Sequence, residues 1–477
     1  QGGRFPQLRR EAAQVASEIG DVLAVGGIVP LLEQYHFADL ARVLIAARPA
    51  LAPERVVHLF GAGHPLVFAF GALFGADLFD SSAYHKFARR GDLLFPWGTV
   101  PLDSIREAVC RCLLCSQVPL LQLGALPAAE REAHLARHNL LQCAEEIARV
   151  RQAIRDGMLW ELVEQRAAAH PALQAALSVL VGSSSELFVP AEPMSRPAFR
   201  ITGPFSLARP AVQLWRANLN RWKEGKGPFR PSQSRGLTPA ALRGLEPADE
   251  TGRDNWWEVD SALGPVPIEL SEIYPAGSAV AAENYDREET RRSDPLPPSA
   301  EAGPGRLESW TRRHVSGIFE WAFGREAARV LLRETWAGER SPRTGRLRLL
   351  RLGGDPWFMV GPDGLPRPTW KGGIALHRAL RATETRIVVS EDAVPFVSEG
   401  RSLFARFVRF ADPRLRPGAS ALLVDEADRL LAVGRLLLTP GEMTRMPRGI
   451  AVRVTSHSRA SEPARFEEGR NPSGASD

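Results

Sequence analysis

The chain has 477 residues, 44% of them hydrophobic and 24% charged, and a formal net charge of +5 with arginine far outnumbering lysine. That balance excludes a disordered or collagen-like chain and leaves room for several domains; it suits a phosphate-bearing partner, although a GC-rich coding bias supplies arginine as readily. The longest apolar runs, such as 65–74, are too short to cross a bilayer, and four cysteines do not make a disulfide framework, so a soluble protein of a reducing, cytoplasmic compartment with no membrane contact is expected.

Residues 7–19 carry the spacing of an amphipathic helix, and 21–27 (DVLAVGG) read as a buried strand closing on paired glycines. A helix is expected over about 30–47, a strand over 55–60 breaking at Gly61-Ala62-Gly63, a helix over 65–74 and a short strand over 77–80. Strand, turn and helix at this beat predict a parallel βα sheet. The three strands end in Gly26-Gly27, Gly61-Ala62-Gly63 and Asp80-Ser81-Ser82. In a (βα)8 barrel the C-terminal strand ends are where active sites are built.

Three of the four cysteines then fall within six residues, Cys110-Arg111-Cys112-Leu113-Leu114-Cys115, and His138 follows after 22 intervening residues. A C-x-C-x2-C knuckle lets three thiolates converge from one loop while a later helix supplies an imidazole, which is the tetrahedral donor set of structural Zn²⁺. Free buried cysteines or a disulfide are the alternatives, and a disulfide inside C-x-C is strained. His134 competes for the fourth position, one helical turn before His138.

Two long helices are expected over 127–150 and 152–169. From about 223 to 307 the composition turns to glycine, proline, serine and mixed charge, a loop-rich linker interrupted by the apolar piece 263–274. Trp310, Phe319, Trp321 and Phe323 suggest a helix face, 343–350 and 355–360 read as strands, and 385–454 is a run of short strands with turn signals. The tail 456–477 is polar and expected to be disordered.

Several segments in colinear order closely resemble the archaeal-type tRNA-guanine transglycosylases. These are Gln1-Gly2-Gly3, residues 23–30 (LAVGGIVP), 58–65 (HLFGAGHP), 77–84 (DLFDSSAY), the cysteine knuckle and His138-Asn139-Leu140. Residues 264–270 (GPVPIEL) resemble the middle of those proteins; 391–397 (EDAVPFV), 400–404 (GRSLF) and 431–435 (LAVGR) resemble the PUA domain that closes them. The resemblance implies an α/β chain: a partial (βα)8 TIM-type barrel with a structural zinc subdomain over 1–170, a linking domain over 171–300, an α+β middle domain over 305–384 and a PUA RNA-binding domain over 385–455.

It further implies an enzyme that removes guanine at position 15 of tRNA and inserts 7-cyano-7-deazaguanine, in archaeosine biosynthesis. Exchanging a base without cutting the backbone requires a carboxylate that holds the ribose C1′ covalently and a second one that shuttles protons, so that two inversions restore the stereochemistry. Asp80 matches the nucleophile position of the family; the alternative for a strand-end aspartate is a helix N-cap. Gln1 matches a glutamine that pairs with the polar edge of the base. Gly27, flanked by Gly26 and Ile28, matches a backbone segment approaching the base. Phe60 matches an apolar side chain under it, with core packing as the alternative. Asp77 is no substitute for a second catalytic carboxylate, because it lies three residues before Asp80 on a short strand.

The family's first barrel strands and its two other aspartates, one catalytic and one base-reading, have no counterpart here, and the first residue is Gln1 rather than methionine. The chain is therefore expected to be the remainder of a longer protein, and by itself poorly folded and inactive. Arg401, Arg406 and Arg409, read at alternating or near-alternating strand positions, are candidates for gripping tRNA, with a solvated face as the alternative. In relatives the zinc insertion also supports dimer contacts, so a homodimer is expected. Competing readings are a non-catalytic tRNA-binding subunit or paralogue, and a transglycosylase acting on DNA.

Overall fold

The computed structural model describes residues 2–51, 55–183, 188–197, 199–232, 245, 248, 253–280, 304–381 and 383–458. Gln1, most of the expected linker's second half and nearly all of the polar tail lie outside the described residues. The chain divides into two compact units, 1–226 with 258–266 and 274–300, and 227–257 with 267–273 and 301–477.

In the first unit, short apolar strands alternate with helices, several of them with proline in the first turn, where it is tolerated because its missing N–H has no helical acceptor. The order is α1 (Pro6–Ile19), β1 (Val22–Val25), α2 (Val29–Glu33), α3 (Phe37–Ala47), β2 (Val56–Leu59), α4 (Pro65–Leu73), β3 (Leu78–Phe79) and α5 (Ala83–Arg89). Strands β1, β2 and β3 are parallel neighbours in that order, with Val25 beside Leu59 and Leu59 beside Phe79. All three therefore stop at one level. Alternation sends Leu23, Val25, Val57 and Leu59 into a core with Leu40, Leu44, Leu66 and Phe70 of the helices. The opposite face carries Val22, Val56 and Leu78, each exposed.

The expected helix over 30–47 is two helices. Tyr35 breaks it in a left-handed conformation at φ 58°, and its ring stacks on His170 with centroids 4.8 Å apart. Conversely, the two helices expected across 127–169 meet later than predicted. After the hairpin β4 (Asp92–Phe95) and β5 (Gly98–Pro101) and the short α6 (Leu113–Gln117), helix α7 runs 29 residues from Ala128 to Asp156. Nothing at Arg151 stops it. Gly157 does, at φ 69°, with its N–H on Ile154 O at 3.2 Å and Met158 N–H on Ala153 O at 2.7 Å, the left-handed glycine termination. Helices α8 (Leu159–Ala167) and α9 (Pro171–Gly182) follow. The region read as linker holds short strands at Phe229–Ser232, Trp256–Val259, Val266–Pro267 and Ala279–Val280.

In the second unit, the helix Pro304–Phe323 buries Trp310, Val315, Ile318 and Phe319, while Trp321 and Phe323 sit half-buried at its flank rather than on the core face. An antiparallel sheet joins Ala337–Arg340, Leu347–Leu352, Asp355–Val360 and Pro366–Pro368, followed by the helix Trp370–Ala379. The last element is a six-stranded sheet, in spatial order Leu403–Phe404, Ile450–His457, Leu430–Leu436, Ser420–Val424, Arg386–Val389 and Val408–Ala411. Buried residues line both of its faces, with the consecutive Leu422 and Leu423 each fully buried, alongside Ile387, Val433 and Val452. Among the described residues no helix is long and apolar enough to cross a membrane.

Candidate active site and metal centre

Because β1, β2 and β3 are parallel and in register, the residues just past their ends share one rim: Gly26-Gly27, Phe60 and Asp80. Asp80 is half exposed, and one oxygen, Oδ1, accepts from His58 Nε2 at 2.8 Å and from the Gly61 N–H at 2.9 Å. Its Oδ2 has no hydrogen-bond partner among the described residues. The N-cap alternative does not occur: Ser82 occupies the cap position of α5, and Ser81 Oγ accepts from the Ala83 N–H at 2.8 Å. Phe60 is 52% exposed and meets the His58 ring edge-on at 5.4 Å. Gly27 is exposed at φ 65°, a conformation that favours glycine, while Gly26 and Ile28 are buried. Asp77 lies at the other end of the strands, accepting the Val57 N–H at 2.9 Å.

His58 was not singled out from sequence, yet the signal was there. It pairs in register with Leu78, so a period of two puts its side chain on the face of Asp80.

The turn Gly61–His64 is held from several sides. A Cβ on Gly63 would stand 1.9 Å from Ser81 Cβ, so only glycine lets the two loops approach this closely. His64 caps α4, its Nδ1 accepting from the Leu66 N–H at 3.1 Å while Nε2 meets Thr99 Oγ1 at 3.1 Å. Burial pushes the His64 pKa down to about 4, so the ring is neutral near pH 7. Cys143 of α7 donates its thiol to Gly63 O at 3.5 Å, and burial pushes its pKa up to about 12.

The knuckle cysteines and His138 converge. Their ligand atoms all lie within 4.8 Å of one another, with His138 Nδ1 at 3.7, 3.7 and 3.3 Å from Sγ of Cys110, Cys112 and Cys115. Two ligands on a tetrahedral zinc, at ~2.3 Å for sulfur and ~2.0 Å for nitrogen, stand roughly 3.5 Å apart, so the imidazole–thiolate separations are those the ion requires. Hydrogen bonding from Cys115 lowers the Cys110 pKa to about 4 and raises that of Cys115. His134 stays outside the cluster. The next residue of α7, Asn139, is buried and ties the centre to the rim: Oδ1 accepts from the Leu94 N–H at 2.8 Å, and Nδ2 donates to Tyr84 O at 3.0 Å and Asp92 O at 3.1 Å. Tyr84 belongs to α5, directly after Asp80.

The structure places Arg401 in the turn before Leu403, Arg406 in a 3-10 turn and only Arg409 on a strand. The expected alternation fails because the chain turns twice between them. All three are exposed, with Arg401 over the Phe396 ring at 5.3 Å, Arg406 over Phe407 at 4.5 Å, and Phe396, Phe404 and Phe410 themselves exposed.

Three family models match the chain: queuine tRNA-ribosyltransferase over residues 1–172, the patch-forming domain C2 of tRNA-guanine transglycosylase over 313–382, and the PUA domain over 385–458. The tRNA-guanine(15) transglycosylases of Pyrococcus abyssi and Pyrococcus furiosus are each 34% identical over 457 residues, covering 95% of this chain and 70% of the relative. That of Methanothermobacter thermautotrophicus is 33% identical over 488 residues, with 95% and 74% covered.

Proposed function

The chain belongs to the tRNA-guanine transglycosylases, which are pentosyltransferases, and we propose that it exchanges guanine at position 15 of tRNA for 7-cyano-7-deazaguanine, toward archaeosine. The observation that carries this reading is Asp80, an accessible carboxylate at the C-terminal rim of parallel strands, oriented through one oxygen and flanked by an exposed aromatic ring and an exposed glycine backbone.

Asp80 Oδ2 attacks the ribose C1′, the C1′–N9 bond breaks, and its electron pair leaves with guanine, which is protonated by a second acid. The incoming base, losing its N9 proton to the group that protonated guanine, then attacks C1′ and displaces Asp80, so two inversions give retention. Phe60 offers a stacking face worth ~1–3 kcal/mol. The Gly26–Ile28 backbone lies where a base can be read by main-chain groups, and Gln1 reads its polar edge.

We assign zinc to Cys110, Cys112, Cys115 and His138, as a structural ion whose four protein ligands leave no position for water. Trp97, Val109, Leu113, Leu121 and Leu140, all exposed on elements around that centre, support a homodimer formed there. Arg401, Arg406 and Arg409, interleaved with exposed phenylalanines, support tRNA contact by stacking and phosphate pairing. The cytoplasm is the compartment that holds such a substrate.

The test is incorporation of labelled guanine into tRNA by the complete gene product. Asp80→Asn is expected to abolish it while tRNA binding persists. Undiminished exchange by that variant would refute the assignment.

A further inference from the structure

Arg9 of α1 is 4% exposed, yet no carboxylate among the described residues pairs with it. All its hydrogen bonds go to main-chain carbonyls: Nε to Gly3 O at 2.5 Å, Nη1 to Gly26 O at 2.6 Å and Nη2 to Gly27 O at 3.3 Å. One buried guanidinium thus ties the turn before α1 to the loop after β1. Loss of water lowers its pKa, but a guanidinium stays charged at neutral pH.

The consequence lies on the other side of the same peptide groups. The Gly26 carbonyl shares its peptide with the Gly27 N–H, and the Gly27 carbonyl with the Ile28 N–H. In a trans peptide each N–H points away from its C=O. Neither N–H has an acceptor among the described residues. A positive charge on the carbonyl side polarises both peptides and strengthens the donors opposite, in the way that linked hydrogen bonds reinforce one another at low dielectric. The Gly27 N–H, a fixed donor at an exposed glycine, suits an oxygen acceptor and offers nothing to an amino group.

We propose that Arg9 is a positioning residue for base selectivity: from behind the backbone, through the Gly26 carbonyl, it aims and charges the exposed Gly27 N–H toward the keto oxygen of a 6-oxopurine. This rests on the reading that the Gly26–Ile28 segment faces the base. Arg9 touches no substrate itself, and it also holds the Gly2-Gly3 turn that follows Gln1, so both base-facing segments share one anchor.

The experiment measures exchange by the complete gene product with guanine and tRNA varied separately, in wild type, Arg9→Lys and Arg9→Met, with zinc content and circular dichroism as controls for folding. Losing hydrogen bonds to a charged group predicts that KM for guanine rises about tenfold or more in Arg9→Met. KM for tRNA should stay within about twofold, and rejection of adenine should weaken. Arg9→Lys keeps the charge with fewer matched donors and should fall between; it decides the matter if Arg9→Met does not fold. An unchanged guanine KM in a folded variant, or a loss spread evenly over guanine and tRNA, overturns the proposal while leaving Asp80 untouched. Absence of exchange in the wild type would sink the reading of the site and this inference with it.

Discussion

Asn139→Ala removes the side chain through which the metal-bearing helix is joined to the layer that carries Asp80. Its amide is fully buried and makes three hydrogen bonds, to the Leu94 N–H, Tyr84 O and Asp92 O, at 2.8–3.1 Å. Each bond contributes ~1 kcal/mol net, and a buried N–H left without an acceptor costs ~1–3 kcal/mol. The Leu94 N–H is such a group, whereas carbonyls tolerate a lost partner better. Two lost bonds to carbonyls and the orphaned Leu94 N–H add to a destabilisation of about 3–5 kcal/mol, measured by urea unfolding of the zinc-loaded protein. Asn139→Asp sharpens the test: it is nearly isosteric and keeps an acceptor for Leu94, but sets a carboxylate oxygen against two carbonyls. It should destabilise at least as much as alanine. If either variant unfolds within about 0.5 kcal/mol of wild type, the amide does not join these elements as described.

Other outcomes follow from the same geometry. His58→Phe removes a donor from Asp80 Oδ1 and should lower kcat about tenfold, with His58→Gln recovering most of the loss because its amide N–H can replace Nε2; equal activity in all three would exclude His58 from orienting the carboxylate. His64 is held near pKa 4, below its ordinary 6.5, so between those pH values the unfolded chain binds a proton that the folded one refuses, and stability falls as pH drops. Going from pH 7 to 5 this amounts to about 2 kcal/mol. His64→Asn, which keeps a cap acceptor, should flatten the urea-unfolding pH dependence by that amount; an unchanged slope would contradict it. Chelation should release one equivalent of zinc per chain and lower stability by about 4 kcal/mol relative to free zinc at a thousandfold over Kd. An unchanged melting curve after metal loss would show the four ligands to be dispensable for folding.

Much of the site was legible because its logic is local. Period-two alternation with glycine-closed ends located β1, β2 and β3, and parallel neighbours in register place Gly27, Phe60 and Asp80 on one rim. Cysteine spacing alone chose the metal ligands, and the three-dimensional cluster selects His138 over His134. What the sequence did not disclose depended on distant partners. Tyr35 breaks a helix at a residue with no breaker chemistry, beside His170 from more than a hundred positions away. Arg9 and Asn139 look like surface residues in an amphipathic pattern, and only the packed neighbours reveal them as buried anchors. The end of α7 was readable at Gly157, but the apolar spacing fades earlier, and periodicity was the weaker guide to that boundary.

In the proposed reaction Asp80 bonds covalently to the ribose C1′. Mixing the complete gene product with guanine-15 tRNA, quenching in acid and mapping the peptides by mass spectrometry tests it directly. A ribose-linked fragment is expected on the peptide that contains Asp80, absent in Asp80→Asn and discharged when guanine is added before the quench. Guanine exchange proceeding at full rate with the adduct on another residue, or with none that guanine can discharge, would contradict it.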